Sequence, residues 1–140
     1  IRSVYEGIAF CHRYHFEKLN RTRQTPVRSI RLAGGAARSK IWTQIFADVM
    51  QLPIETIVSN ETGTLGCAIA AAVAIGEYAT LKEAVQKMTQ IAPMVQPNPR
   101  LREVYDEKYK LYCLTVQCLE PLWGPMQSFV ERGGRICWKD

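Results

Sequence analysis

Apolar residues recur at every third or fourth position in three stretches of the chain, residues 1–20, 39–50 and 99–120. This spacing places them on one face of an α-helix, with polar residues on the opposite face. Ser39 begins the second stretch and Asn98 directly precedes the third, and both residue types favour the N-cap position because their side chains accept a hydrogen bond from the first turn. We therefore predict three amphipathic helices.

Two short segments, residues 27–32 and 54–58, flank the second of these helices and have the character of strands, the first of them by alternation of its side chains. A strand, a helix and a strand in succession form a right-handed βαβ unit, whose two strands are parallel. Ligands commonly bind at the carboxyl ends of such strands. The predicted fold class is therefore α/β, with a short parallel strand pair flanked by helices and a helix-rich C-terminus.

Two more helices are predicted after the second strand. Residues 62–78 are rich in glycine and alanine, so this helix can approach a neighbour closely, and we expect most of its surface to be buried. The capping box Thr80-x-x-Glu83 begins a helix over residues 81–89. The apolar residues of that helix are expected to face inward: Leu81, Ala84, Val85 and Met88. The proline-rich residues 93–99 are predicted to be an extended linker.

Charge and hydropathy argue against two classes of partner. The chain has a net charge of +5 and a pI near 9.1, but its basic residues are scattered and form no run typical of a nucleic-acid or membrane-binding patch. The longest apolar run, residues 65–75, is far too short to cross a bilayer. We therefore expect no nucleic-acid partner and no membrane association.

The five cysteines are an odd number without paired spacing, which favours a reducing, cytoplasmic location over a disulfide framework. Cys67 lies in an alanine-rich run and is expected to be a small buried residue without a chemical role. Cys11 and His15 fall on one helical face at a spacing of four residues. A structural zinc site needs four ligands, and no second Cys/His cluster accompanies this pair, so no metal ligand is predicted.

Residues 30–42, IRLAGGAARSKIW, combine the first strand, a glycine turn and the start of the second helix. Glycines allow a positive φ and a close backbone approach, while the helix start offers unpaired N–H groups and the positive end of its dipole. This pattern is typical of phosphate-binding turns, although Gly-Gly also closes strand-to-helix connections that bind nothing.

Three segments, YEGIAF, IRLAGGAARSKIWTQIFADVMQLPIE and ETGTLGCAIAAAVAIGEY, resemble the C-terminal region of the FGGY carbohydrate kinases. The resemblance is closest to pentulose kinases such as xylulose kinases, and it continues more loosely to Tyr112. It implies two actin-like domains of ribonuclease-H-like fold around a cleft, with ATP held mainly by the C-terminal domain. Its cofactors would be ATP and the Mg²⁺ that arrives with the nucleotide.

The resemblance also implies positions for the nucleotide. Gly34, Gly35 and Ala36 would form the glycine turn beside the adenosine and α-phosphate, and Ser39 would lie near the adenine. Ser39 could instead be only the N-cap of the helix. A serine can take either role, but its hydroxyl oxygen forms a limited number of hydrogen bonds. Ala33 replaces a glycine that the family often has.

Two charged residues of the quoted segments, Arg38 and Glu61, are assigned no role. Arg38 could reach a phosphate, but as an exposed arginine it is expected to lie in solvent. Glu61 matches an acidic family position, yet an acid before a helix is also explained by the helix dipole.

In the family, the catalytic aspartate and the sugar site belong to the N-terminal domain. The chain would then be the last part of a longer kinase, with no catalytic residue of its own and no activity alone. Residues 1–120 would be a partial nucleotide-binding domain and residues 121–140 its C-terminal extension. An unpaired sheet edge would also favour self-association into a homo-oligomer.

Three interpretations follow. The chain is the nucleotide-binding part of an ATP-dependent kinase for L-xylulose or D-xylulose, it belongs to another actin-like ATPase, or it is a non-catalytic helical interaction module. The sequence of residues 61–78 resembles carbohydrate kinases, which favours the sugar kinase over another actin-like ATPase.

Overall fold

The computed structural model describes residues 1–59 and 61–132. Five α-helices and two strands are found in these residues, with one 3₁₀ turn before the second helix and another before the fifth. In chain order they are α1 (Arg2–Asn20), β1 (Ile30–Leu32), the 3₁₀ turn Gly35–Arg38, α2 (Lys40–Met50), β2 (Ile54–Thr56), α3 (Thr62–Ala74), α4 (Leu81–Met88), the 3₁₀ turn Pro99–Leu101 and α5 (Arg102–Glu131). None of the helices in the described part of the chain is long and apolar enough to cross a membrane.

The core lies where α1, α2 and the first half of α5 meet beside β2. Phe10 of α1 is at its centre, with its ring centroid 6.2 Å from that of Tyr105 and 6.0 Å from that of Tyr109, both on α5. On α2, Ile45, Phe46, Ala47, Val49 and Met50 are buried against the same cluster. The apolar faces predicted for the three amphipathic helices, now α1, α2 and the first half of α5, therefore meet each other. We call α1, α2, the two strands and residues 90–113 the body of the molecule.

Arg13 ties three helices of the body together. Its Nη1 donates to the carbonyl oxygen of Val49 at 3.1 Å and lies 2.8 Å from Oδ1 of Asp106, while its Nε bonds Glu17 at 3.0 Å. The guanidinium also lies 4.2 Å from the ring centroid of Tyr109. Since the Val49 carbonyl belongs to the last turn of α2, the cation there is favoured by the helix dipole.

Glu6 of α1 is buried and carries a second polar connection to α5. Its carboxylate accepts hydrogen bonds from Arg2 Nε at 2.9 Å, Tyr105 OH at 3.2 Å and Lys108 Nζ at 2.7 Å. Burial favours the neutral acid, but the bonds from Lys108, Arg2 and Tyr105 outweigh it and hold the pKa of Glu6 below its ordinary value. The buried charge is therefore satisfied from three sides.

The two strands are parallel, as predicted, with Ile30 opposite Ile54 and Leu32 opposite Thr56. The linker that follows α4 is extended, as predicted, but it is also part of the sheet region. Ile54 and Val95 exchange both backbone hydrogen bonds at 2.9 Å in an antiparallel bridge, and Ile57 bridges Ile91 in the same sense. The second edge of β2 is therefore covered by the chain itself, which the sequence analysis did not anticipate.

The prediction that the small-residue helix is mostly buried is wrong. Ile69 is the one buried residue of α3, whose main neighbour is α4. Cys67 is exposed as well, contrary to expectation. Small side chains permit close packing but do not supply a neighbour.

The capping box at the start of α4 is present, since Thr80 Oγ1 accepts from the Glu83 N–H at 3.2 Å. The expected inward face is correct only at Ala84. Leu81 and Val85 are exposed, and Met88 is partly buried. We call α3 and α4 together the α3–α4 unit.

The predicted end of the last long helix at Pro121 is also wrong, because α5 continues through Pro121 and Pro125 to Glu131. Each proline removes one N–H from the helical ladder, and this stretch is exposed, so water can satisfy the carbonyls left without a donor. The expected boundary between residues 120 and 121 therefore falls within one helix. Residues 133–140, the end of the expected extension, lie outside the described residues.

Candidate functional site

The glycine turn between β1 and α2 contains one backbone conformation that favours glycine. Gly34 has φ 84° and ψ −159°, and its carbonyl oxygen accepts a hydrogen bond from the Ala37 N–H at 3.1 Å. A β-carbon at this position would meet no atom within 4 Å, so the requirement comes from the backbone and not from crowding. The turn is open on the side where that β-carbon would point.

The remaining predicted residues of the turn serve the fold in ways that can be seen directly. Ser39 is the N-cap of α2, as predicted, and its Oγ accepts from the Trp42 N–H at 3.3 Å. Ala36 is partly buried against the core, and its carbonyl accepts from the Ser39 N–H at 3.3 Å and from Thr43 Oγ1 at 3.4 Å. Gly35 begins the 3₁₀ turn.

A cavity of about 330 Å³ lies between this turn and the segment that follows β2. Both of its walls are the carboxyl ends of parallel strands, which is the usual ligand position in α/β proteins. Its polar lining comes from a glycine, two cationic side chains and three hydroxyls: Gly34, Arg38, Lys40, Thr56, Ser59 and Thr62. This volume is within the range of small-molecule sites.

Of the four residues predicted to hold a nucleotide, Gly34 lines this cavity. Gly35, Ala36 and Ser39 lie in the same turn but are not among its lining residues. The sequence analysis missed Lys40, Ser59, Thr56 and Thr62. A sequence signal was available for Ser59, because residues directly after parallel strands meet at one edge of the sheet. Lys40 and Thr62 begin helices and Thr56 ends β2, so that signal does not apply to them.

The electrostatics of the cavity are dominated by cations. Arg38 forms an ion pair with Glu61, and the side chains are 52% and 70% exposed, respectively. The sequence-based expectation that Arg38 simply lies in solvent therefore missed its partner. Lys40, also exposed, has no ion-pair partner within residues 1–59 and 61–132. The lining therefore suits an anionic ligand.

A larger cavity, of about 540 Å³, lies along α2 on the other side of Lys40. Its buried acid is Asp48, whose Oδ1 accepts from the Asn98 N–H at 2.7 Å and from Gln44 Nε2 at 2.9 Å. These bonds attach the start of the last helix to α2. Because Gln44 and Asn98 are both hydrogen-bonded to Asp48, we interpret this cavity as part of the packing between segments and not as a ligand site.

Metal-ligating side chains are not clustered in the described residues, where no group of three or more His, Cys, Asp or Glu could hold an ion. Cys11 and His15 do share one helical face, with 3.7 Å between Sγ and Nδ1. The His15 Nδ1 also lies 2.8 Å from the Cys11 carbonyl oxygen, which is a local contact within α1.

The fold and the cavity together define an α/β protein with a ligand-sized space at the carboxyl ends of its parallel strands. Residues 1–75 match the FGGY family of carbohydrate kinases, C-terminal domain. The chain belongs to the FGGY family of carbohydrate kinases.

Two curated relatives and one solved structure show the extent of the similarity. The chain is 34% identical over 120 residues to L-xylulose/3-keto-L-gulonate kinase of Escherichia coli (strain K12), covering 86% of this chain and 24% of that kinase. It is 32% identical over 106 residues to autoinducer-2 kinase of Photorhabdus laumondii, covering 76% and 20%. The ligand-bound xylulose kinase of Lactobacillus acidophilus superposes with a TM-score of 0.75 at 29% identity, covering 89% and 25%.

These comparisons confirm the resemblance to FGGY kinases and to xylulose kinases in particular. They also confirm the fold class, since the structural neighbours are sugar kinases with the actin-like ATPase fold. The chain spans about a quarter of the length of the relatives it matches.

Proposed function

We propose that this chain is the nucleotide-binding part of an ATP-dependent sugar kinase that phosphorylates a pentulose such as L-xylulose or D-xylulose. The observation that carries the proposal is the cavity beside Gly34, which combines a turn open to close backbone approach with a cationic lining. It occurs in a chain that matches the C-terminal domain of a kinase family. The two alternative interpretations, another actin-like ATPase and a non-catalytic helical interaction module, are not supported by this family match.

In this proposal the phosphate tail of ATP lies along the turn, where the backbone at residues 34–36, the ammonium of Lys40 and nearby hydroxyls can bind its oxygens. Hydrogen bonds to charged phosphate oxygens are stronger than neutral ones. Ser39 keeps its capping bond to Trp42 N–H, so its proposed contact with the adenine uses the remaining capacity of its hydroxyl.

The lining residues do not fit a magnesium site of their own. Mg²⁺ prefers carboxylate oxygens, water and phosphates, whereas the polar side chains among the described lining residues are cations and hydroxyls. We therefore propose that magnesium enters with the nucleotide and is held by its phosphates.

The acceptor sugar and the carboxylate that activates its hydroxyl are proposed to come from chain outside these residues, in keeping with the family. Residues 1–120 then form part of the nucleotide-binding domain and residues 121–140 extend it. The pentulose is favoured because L-xylulose and xylulose kinases are among the relatives. An ADP-release assay of the gene product with L-xylulose and D-xylulose tests the sugar, and release with neither would reject it.

Nucleotide binding is tested by calorimetric titration of the 140-residue chain with ADP and magnesium, using Gly34→Ala and Gly76→Ala as a matched pair. Both glycines have positive φ, 84° and 82°, and open space at the β-carbon, but Gly76 follows α3. Each variant should lose about 1 kcal/mol of stability from backbone strain.

Only Gly34→Ala should weaken ADP binding, by about tenfold, because it moves the turn that faces the ligand. Equal effects of the two variants on ADP affinity, or no ADP binding by the unchanged chain, would reject this site.

A further inference from the structure

Arg38 and Glu61 form an ion pair beside the candidate cavity. Arg38 is the last residue of the 3₁₀ turn and lines the cavity. Glu61 is the N-cap of α3, 23 residues further along the chain, and lies in sequence between the lining residues Ser59 and Thr62. Their ion pair therefore joins the two walls. A ligand that enters between them meets a cation already paired with a carboxylate.

From this arrangement we infer that Arg38 is a phosphate-binding residue of the site and that Glu61 is the carboxylate that the phosphate displaces from it. The inference rests on the proposed function, because it takes the ligand to be the phosphate tail of a nucleoside diphosphate or triphosphate. Glu61 then lowers the affinity for the nucleotide, since it competes with the phosphate for the guanidinium.

The relative strength of the two pairings supports the exchange. The Arg38–Glu61 pair is exposed on both sides, and exposed pairs of this kind contribute little because water screens them. A phosphate carries more charge than a carboxylate and offers three oxygens to the planar guanidinium, which binds it in a bidentate manner. Lys40 on the same wall adds a second cation for the same anion.

The displaced carboxylate still has favourable surroundings. Glu61 is at the N-terminal end of α3, where a negative charge is stabilised by the helix dipole. The Glu61 N–H donates to Ser59 Oγ at 3.3 Å, a bond that does not involve the Glu61 side chain. Release of Arg38 therefore leaves no buried unpaired charge.

The test is a set of calorimetric titrations of the 140-residue chain with ADP and magnesium and, separately, with adenosine. The variants are Glu61→Gln, Arg38→Gln and the double variant. Glu120→Gln is the control, because it removes one exposed negative charge on α5, away from the cavity.

Glu61→Gln should lower the Kd for ADP by about three- to fivefold, the effect of an exposed ion pair. Arg38→Gln should raise it about tenfold, and the double variant should match Arg38→Gln. Adenosine affinity should be the same in all variants, and Glu120→Gln should bind both ligands as the unchanged chain does.

A Glu61→Gln variant that binds ADP more weakly would overturn the inference, because the pair would then act only as a structural connection between the walls. So would an unchanged affinity for ADP. If the unchanged chain binds ADP and Gly34→Ala weakens that binding as expected, either of these two results for Glu61→Gln rejects this inference and leaves the proposed function standing. If the unchanged chain does not bind ADP, the proposed function and the inference fall together.

Discussion

The α3–α4 unit is more apolar in sequence than the body of the molecule but buries far less of it. In the body, α2 alone buries seven of its residues, from Thr43 to Met50 with Gln44 as the exception. In the α3–α4 unit, Ile69 and Ala84 are the buried residues. Burial therefore follows from the partners that a helix finds and not from its composition.

The reason lies in the shape of the apolar surface. The body helices carry large side chains on one face. Phe10, Trp42 and Tyr105 fill the space between these helices. The residues of α3 are small on all sides, so this helix gains burial only where another backbone comes close. Within the described residues, the main neighbour of α3 is α4.

The largest expected effect contrasts the centre of the body with the end of α5. Phe10→Ala should destabilise the chain by about 3–5 kcal/mol, because it removes the ring at the centre of an aromatic cluster. Leu122→Ala, at a position that is 50% exposed, should change stability by no more than about 0.5 kcal/mol. Urea denaturation followed by circular dichroism measures both.

The same experiment at two protein concentrations tests the expected self-association. If Leu122→Ala is as costly as Phe10→Ala only at the higher concentration, the end of α5 is covered by a second copy of the chain. A large effect at both concentrations would contradict the contrast between the two regions.

A smaller, pH-dependent effect is expected at Glu6, where the body holds a buried charge. Glu6→Gln should cost about 1–2 kcal/mol at about pH 7, because it weakens the bonds from Lys108 and Arg2. The folded pKa of Glu6 lies below its ordinary value of 4.5, so this contribution is complete above pH 4.5 and is lost as the pH falls through the lowered pKa.

The stability difference between the unchanged chain and Glu6→Gln should therefore narrow in acid. Glu120→Gln, on the exposed part of α5, provides the control and should show no such trend. A difference that widens in acid would mean that the carboxylate is not held by its cations.

The smallest effect concerns thiol accessibility and leaves the fold intact. Cys67 on α3 is exposed, whereas Cys113 on α5 is partly buried beside the core. A thiol reagent should label Cys67 quickly in the folded chain and Cys113 only slowly, with the two rates converging in urea. Comparison of Cys67→Ser with Cys113→Ser assigns the two phases. Slow labelling of Cys67 would show that α3 is covered in solution.

In the candidate site, as in the fold, local features could be predicted from the sequence and contacts between distant segments could not. The positive φ at Gly34 and the cap at Ser39 could be predicted because each is a property of a few consecutive residues. The pairing of Arg38 with Glu61, and the shared position of Lys40 and Thr62 in the lining of one cavity, could not be predicted from local sequence because they join separate segments. The resemblance to FGGY kinases supplied the family but no contacts.

The sequence by itself determined the local structure of this protein. The periodicity of apolar residues located α1, α2 and the first part of α5, small-residue composition located α3, and the capping box located α4. The capping residues Ser39, Thr80 and Asn98 marked the starts of the segments that they precede. These features depend on hydrogen bonds and side-chain directions within one or two turns. They therefore appear in the sequence as short patterns.

The tertiary structure alone decided which surfaces are covered. The sequence signals did not show that residues 91–95 run beside β2, that α3 is left exposed or that α5 continues past two prolines. Each outcome depends on whether a distant segment or water satisfies the same backbone and apolar groups. Local patterns report what a segment requires, and only the fold determines what meets that requirement.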